Sequence, residues 1–334
     1  MKTRILTFAA GLCALAALTS TTSAVTVYVD QRNGSPTNSP YNTIQAAINA
    51  SDSDVIIVMP GTYSENLWIP KSVKIYGYDG PHTTKVIGSG AGSAVSVQQG
   101  LNVSIEGLNL SSGGNGVYFA AASGSLYLRN CIICGNAAHG VWVVRTASPG
   151  PDLFISNCVL VSNVRSGLYI DGFESYGWHY PDVSVYNTIF AANSRFGIEV
   201  ETDSWASGAI TLDYNDYVGN AWGQFNYLIG PGLRFSEGPH SFSIAPAFVG
   251  GNSYQCNQDF RLLPSSPCKD AGLPGLGFFD ADGTRNDIGA YGGPGAQNFY
   301  TNPNDGPVIR SVTIDQGMVP KGSTFTIRAT GAVR

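Results

Sequence analysis

One short pattern recurs along the middle of this chain. Asn130-Cys131-Ile132-Ile133-Cys134-Gly135-Asn136 leads to Gly140-Val141-Trp142-Val143. Asn157-Cys158-Val159-Leu160-Val161-Ser162-Asn163 leads to Gly167-Leu168-Tyr169-Ile170, and Asn187-Thr188-Ile189-Phe190-Ala191-Ala192-Asn193 to Gly197-Ile198-Glu199-Val200. A looser copy, Tyr214 to Asn220, ends at Gly223. The closing asparagine stands at 136, 163, 193 and 220, so the spacings are 27, 30 and 27. A period in this range means stacked units, none of which buries its apolar face alone. Apolar residues alternate within each unit, which is the two-residue period of a strand. Strands stacked one coil per repeat make an all-β solenoid.

The bulk properties fit that architecture. Of 334 residues 43% are hydrophobic and only 12% charged, and 41 are glycine, the residue that tight solenoid turns favour. The formal net charge of −5 argues against nucleic acid as a partner. Residues 1–24 read as an export signal: Lys2 and Arg4 open it, an apolar run from Ile5 to Leu18 follows, and Thr22-Ser23-Ala24 offers small residues for cleavage. That run is short for a membrane span and nothing later is apolar enough for one, so the mature protein is expected to be secreted or at the cell surface, and monomeric. Five cysteines follow the signal. Cys131 and Cys158 share a repeat position and are expected to stack as buried thiols. Cys256 and Cys268 bracket a short loop, where a disulfide and two free thiols are both open.

Val25 to Val29 alternates as a strand. From Thr43 to Ala50 the period changes, with Ile44, Ala47 and Ile48 on one helical face and Asn42 or Thr43 as the cap. A short helix here would cover the open end of a solenoid. Further coils contain Val73-Lys74-Ile75-Tyr76, Val95-Ser96-Val97, Val103-Ser104-Ile105 and Gly116-Val117-Tyr118-Phe119. The solenoid is expected to occupy 25–298. A linker then fills 299–307, and a β-strand segment fills 308–334, alternating as two strands around Pro320-Lys321-Gly322. These two strands are either the first hairpin of a sandwich module or partners of the solenoid.

Three stretches carry a resemblance. Tyr41 to Ile48, with Asp54 to Val58 and Pro60-Gly61-Thr62-Tyr63-Ser64-Glu65, is similar to the N-terminal cap and first coil of right-handed parallel β-helix proteins, the pectate lyase-like superfamily. The Asn-Cys-x4-Asn…Gly coils resemble its repeats. Ser266 to Gly272, followed by Asp280 to Gly292, resembles the closing segment of secreted bacterial β-helix proteins. The resemblance implies a right-handed parallel β-helix over about residues 25–295. It implies little about activity, since the superfamily holds lyases, hydrolases, epimerases and adhesins. Neither the basic residue and calcium-binding Asp set of pectate lyases nor the paired Asp, Gly-His-Gly and Arg-Ile-Lys signature of polygalacturonases is reproduced; Ala138-His139-Gly140 is a partial echo of the His turn.

Aligning the strands on Gly116, Gly140, Gly167 and Gly197 sets the second and fourth positions inward and the third and fifth outward. Tyr118, Trp142 and Tyr169 then form an outward aromatic column, suited to the apolar face of a sugar. Asp171, Glu199 and Glu201 form an acidic cluster beside it. Close like charges resist joint ionisation, so either one pKa rises, giving a general acid, or a cation such as calcium sits between them. Loops 145–151, 172–181 and 202–208 form one wall of a groove, carrying Arg145, Glu174, Trp178, His179, Tyr180, Asp203 and Trp205. The turns before the strands supply His139, Arg165 and Arg195 on the other wall, and guanidinium groups there suit an acidic sugar. Asn130, Asn157 and Asn187, like Asn136, Asn163, Asn193 and Asn220, are expected to bond turn backbone from coil to coil. Asp280, Asp282 and Asp287 read as turn caps or half of a calcium loop.

Two functions are open. One is an enzyme, a polysaccharide lyase or glycoside hydrolase whose catalytic candidates are Asp171, Glu199, Glu201 and Arg145, with Tyr118, Trp142, Tyr169, His179, Arg165 and Arg195 binding substrate. The other is a non-catalytic glycan-binding, adhesin or spacer module.

Overall fold

The computed structural model describes residues 24–32, 39–50, 53–98, 100–146, 150–172, 182–202, 208–228, 233–275, 278–298, 308–314 and 327–332. Val55–Leu228 winds as a parallel β-helix in which every coil gives one strand to each of three sheets. The first sheet has nine strands: Thr26–Val29, Val55–Val58, Val73–Gly77, Asn102–Glu106, Ser125–Arg129, Asp152–Ser156, Val183–Tyr186, Gly208–Asp213 and Leu233–Glu237. The second has seven short ones: Gly61–Tyr63, Thr84–Ile87, Asn109–Ser111, Ile132–Cys134, Val159–Val161, Ile189–Ala191 and Asp216–Val218. The third also has seven: Leu67–Ile69, Val95–Gln98, Val117–Ala121, Val141–Arg145, Leu168–Gly172, Phe196–Thr202 and Gly223–Leu228.

Coils stack closely because the repeated glycines allow it. A Cβ on Gly116, Gly140 or Gly167 would come within 2.5–2.8 Å of the carbonyl oxygen of Gly140, Gly167 or Gly197 in the next coil. The interior is closely covered: Val117, Phe119, Val141, Val143, Leu168 and Ile170 are fully buried. The expected asparagine ladder runs along the turn into the third sheet. Asn136 Nδ2 donates to Asn163 Oδ1, Asn163 Nδ2 to Asn193 Oδ1 and Asn193 Nδ2 to Asn220 Oδ1, each at 2.9 Å. Cys131 and Cys158 are buried free thiols, as their shared register required.

The helix α1 (Ile44–Asn49) buries Ile44, Ala47 and Ile48 over the N-terminal end. Thr43 is its cap, its hydroxyl accepting from Ala46 N, and the Glu65 carboxylate accepts the Ile44 and Gln45 amides at 2.9 Å.

Past residue 238 the chain forms a strap over the second sheet. Phe242 bridges Asp216 as a further rung. Phe248, Phe260, Cys268, Ile288, Ala290 and Tyr291 then cover the outward Ile132, Cys134, Val159, Val161, Ile189 and Ala191. Two expectations are corrected here. The disulfide is Cys134–Cys256, not Cys256–Cys268, because the strap carries Cys256 against the second sheet. Cys268 is a buried free thiol that meets the Asp216 carboxylate at 3.4 Å. Asn130, Asn157 and Asn187 do not run from coil to coil toward turn backbone. They bend the corner between first and second sheets with φ of 50–52°, a conformation Asn tolerates. Their side chains hold the strap: Asn130 Nδ2 donates to the carbonyls of Ala290 and Gly292, Asn157 Nδ2 to that of Asp287, and Asn187 Oδ1 accepts the Leu273 amide.

Val308–Ile314 and Ile327–Ala332 pair antiparallel with one another.

Candidate functional site

The third sheet brings the aromatic candidates into line. Its register pairs Trp68 with Ser96, Ser96 with Tyr118, Tyr118 with Trp142, Trp142 with Tyr169, Tyr169 with Glu199, and Glu199 with Asn226. All alternate with buried residues, so they share the outer face. Neighbouring rings touch: Tyr118 and Trp142 lie 5.0 Å apart at 63°, Trp142 and Tyr169 6.0 Å apart at 46°. All three are half-buried. Trp68, 50% exposed, heads the same file and was not singled out from the sequence. Its signal was the alternation Leu67-Trp68-Ile69, without the preceding glycine that marked the other strands.

The next outward file runs Gln98, Ala120, Val144, Asp171, Glu201. Asp171 and Glu201 are therefore neighbours across adjacent strands, about 4.8 Å apart along the axis. Burial pushes the Asp171 carboxyl above its ordinary range and the charge of Glu201 pushes the same way. The Trp142 indole N–H lies near enough to offset part of this, without closing a hydrogen bond of ordinary geometry. Tyr169 donates its hydroxyl to Glu201 Oε2 at 2.5 Å, and burial followed by that bond raises the phenol.

Glu199 stands apart from this pair. It is 7% exposed, accepts the Ser166 hydroxyl, and pairs with the Arg195 guanidinium at 3.3 Å. Arg195 also lies over the Trp222 ring at 4.7 Å. Glu199 thus belongs to a closed network rather than to a three-carboxylate cluster. His139 is buried and stacks on Tyr169 at 4.4 Å and 13°. Burial, then the charges of Arg165 and Arg195, lower its pKa to about 3, so the imidazole is neutral at any ordinary pH. Arg165 is exposed in the turn that precedes the Leu168–Gly172 strand. Arg145 ends the Val141–Arg145 strand, but its side chain, like His179, lies outside the described residues.

A separate set of carboxylates lies in the strap, where the ligand atoms of Asp270, Asp280 and Asp287 fall within 4.8 Å of one another. Asp280 already accepts the Asp287 and Gly293 amides, and Asp287 the Asp270 amide, while Asp282 caps its turn through Thr284. These are structural bonds that close the strap, as the turn-cap reading expected.

A family model described as a right handed beta helix region matches residues 82–238. The repeats accordingly have the fold of a right-handed parallel β-helix. A crystal structure of pectate lyase Pel9A is similar at 14% identity, covering 80% of this chain and 96% of that one with a TM-score of 0.31, too loose an overlap to bear on activity. No curated protein matches the chain. Among the described residues no helix is long and apolar enough to cross a membrane.

Proposed function

We propose that this β-helix is an extracellular glycan-binding protein, and that a polysaccharide lies along the helix axis on the third sheet. The observation that carries this reading is the in-register file of Trp68, Tyr118, Trp142 and Tyr169 on one outer face. Outward aromatic rings in line lose apolar contact to water unless something covers them, and a sugar ring offers both an apolar face and hydroxyls for the polar tips. The rungs repeat at about 4.8 Å, so a linear polymer meets a new ring or polar side chain at each step. The export signal at 1–24 supports placement outside the cell.

Catalysis at the same groove is the second reading, favoured by one observation. Asp171 is held above its ordinary range beside the Glu201 side chain, and a raised carboxyl next to a second acidic group is an arrangement that acid–base cleavage of a glycosidic bond uses. The non-catalytic reading stands without them.

The test is binding to a panel of soluble polysaccharides by affinity electrophoresis. Trp142→Ala should weaken retention by about tenfold, from the loss of one stacking ring, with the far-ultraviolet spectrum unchanged. Unaltered retention in Trp142→Ala would remove the aromatic file from the site. Product assays on the retained polymers then separate the readings. New reducing ends or unsaturated products, lost in Asp171→Asn, support an enzyme; retention without turnover supports a binding module.

A further inference from the structure

We propose that Trp222 is a further sugar-stacking platform, at the opposite end of the third sheet from Trp68, and that these two tryptophans set the length of glycan the groove holds. This rests on the glycan reading and adds to it a residue and a length.

Trp222 stands in the turn that leads into Gly223–Leu228, the last strand of the third sheet, whereas Trp68 stands on Leu67–Ile69, the first. Trp222 is 59% exposed. A lone exposed tryptophan needs no explanation, but the surroundings of this one fix how its ring is offered. The Arg195 guanidinium lies over the ring at 4.7 Å, and Phe196 meets it edge-on at 5.6 Å and 81°. Arg195 is itself held by Glu199, whose side chain is only 9% exposed. The Trp222 amide donates to the Arg195 carbonyl at 3.0 Å, so backbone and ring are tied to one residue. The indole is therefore backed on the side of Arg195 and open to solvent elsewhere. A ring already held loses little freedom when a sugar stacks on it.

Contacts join Trp222 to the aromatic file. Tyr169 pairs in register with Glu199, Glu199 pairs with Arg195, and Arg195 lies on Trp222. Tyr169 is backed in the same manner, with His139 stacked on it at 4.4 Å and 13°. Trp68 is fixed from α1: Gln45 Oε1 accepts the Trp68 amide at 2.8 Å, and Gln45 Nε2 donates to the Trp68 carbonyl at 3.0 Å. The first sheet offers a contrast. Its outward Tyr127 and Phe154 stack on one another at 4.7 Å and 8°, and Arg129 lies over Tyr127 at 5.4 Å, so these ring faces are taken up within the protein. From the first strand of the third sheet to the last is six spacings of about 4.8 Å, or about 29 Å. A sugar unit in an extended chain advances about as far as one rung. A trimer then fills the places at Tyr118, Trp142 and Tyr169, and an octamer reaches both terminal tryptophans.

The probes are xylan, glucomannan and polygalacturonate, each also cut to trimers and octamers and titrated calorimetrically into the full chain. The octamer of a bound polymer should bind about tenfold tighter than its trimer. Trp222→Ala should weaken the octamer about fivefold and the trimer less than about twofold. Trp222→Phe, which keeps a ring, should retain most of the octamer affinity; Trp222→Leu, which keeps apolar bulk without a ring face, should not. Trp142→Ala should weaken both lengths alike. An octamer indifferent to Trp222→Ala overturns the platform. So does an equal loss for both lengths, which is what a disturbed turn would give, and so does Trp222→Leu binding as well as Trp222→Phe. In each of these cases a response of both lengths to Trp142→Ala leaves the glycan reading standing. If no polymer or oligomer binds, the glycan reading falls and this inference with it.

Discussion

The second and third sheets are built from the same repeat, yet their outer faces have opposite fates. Outward positions of the second sheet are Ile132, Cys134, Val159, Val161, Ile189 and Ala191, and the strap buries all of them. Outward positions of the third sheet are Trp68, Tyr118, Trp142 and Tyr169 beside Asp171 and Glu201, and they stay half-exposed or exposed. Aliphatic side chains have no polar atoms and need an internal cover. Tyrosine and tryptophan carry a polar atom on an apolar body, so they persist at a boundary with water. Composition of the outer face thus distinguishes a wall made to be sealed from one made to be approached.

The largest expected effect contrasts one residue on each wall. Ile189→Asp places an unpaired carboxylate beneath the strap and should cost several kcal/mol. Tyr118→Asp on the open wall should cost about 1–2 kcal/mol, mostly from the lost ring contact with Trp142. Denaturant melts compare the two, and equal losses would erase the distinction between the walls.

The second effect is a pH dependence centred on the sealed wall. Burial pushes the Asp216 carboxyl up to about 7, against the Ile244 amide at 3.0 Å and the Cys268 thiol, which hold it down. A carboxyl raised on folding binds its proton more tightly in the native state. Its unfavourable contribution is absent below about pH 4 and grows as pH rises, levelling off above about pH 7. The total is at most about 4 kcal/mol. Asp216→Asn should flatten the stability profile across that window; an unchanged slope would show that Asp216 is not its source.

The third effect tests how the strap is fastened. Cys134 and Cys256 are 122 residues apart in sequence, so their bond closes a long loop and is worth about 2–5 kcal/mol. Cys134→Ser should lower the melting temperature and expose the strap to protease while the coils keep their far-ultraviolet signature. A protease pattern identical to that of the unaltered protein would show that the Asn130, Asn157 and Asn187 bonds suffice.

The coil was legible because its determinants are local. Alternation, the recurring glycine and the recurring asparagine each reflect a contact with the next coil at one fixed offset. The aromatic column was legible for the same reason. The strap was not, since its bonds join residues far apart in order: Asn130 to Ala290, Cys134 to Cys256, Asp216 to Cys268. Asn130 and Asn136 look equivalent in sequence, and only the left-handed backbone at the first turns its side chain away from the ladder. Arg195 was read as free to meet a ligand; its commitment to Glu199 and Trp222 depends on how a turn folds back onto its own strand. The lone Trp68 was missed because the aligning glycine was absent there.

A solenoid has no inherent number of turns, and duplicating one repeat would lengthen it without disturbing either neighbour. The strap removes that freedom. It is riveted to the barrel at Cys134 and pinned again at Asp216, and an extra turn between those points would pull the rivets apart by one rung. It acts as a ruler laid along the cylinder, and the length of the open wall is measured by it.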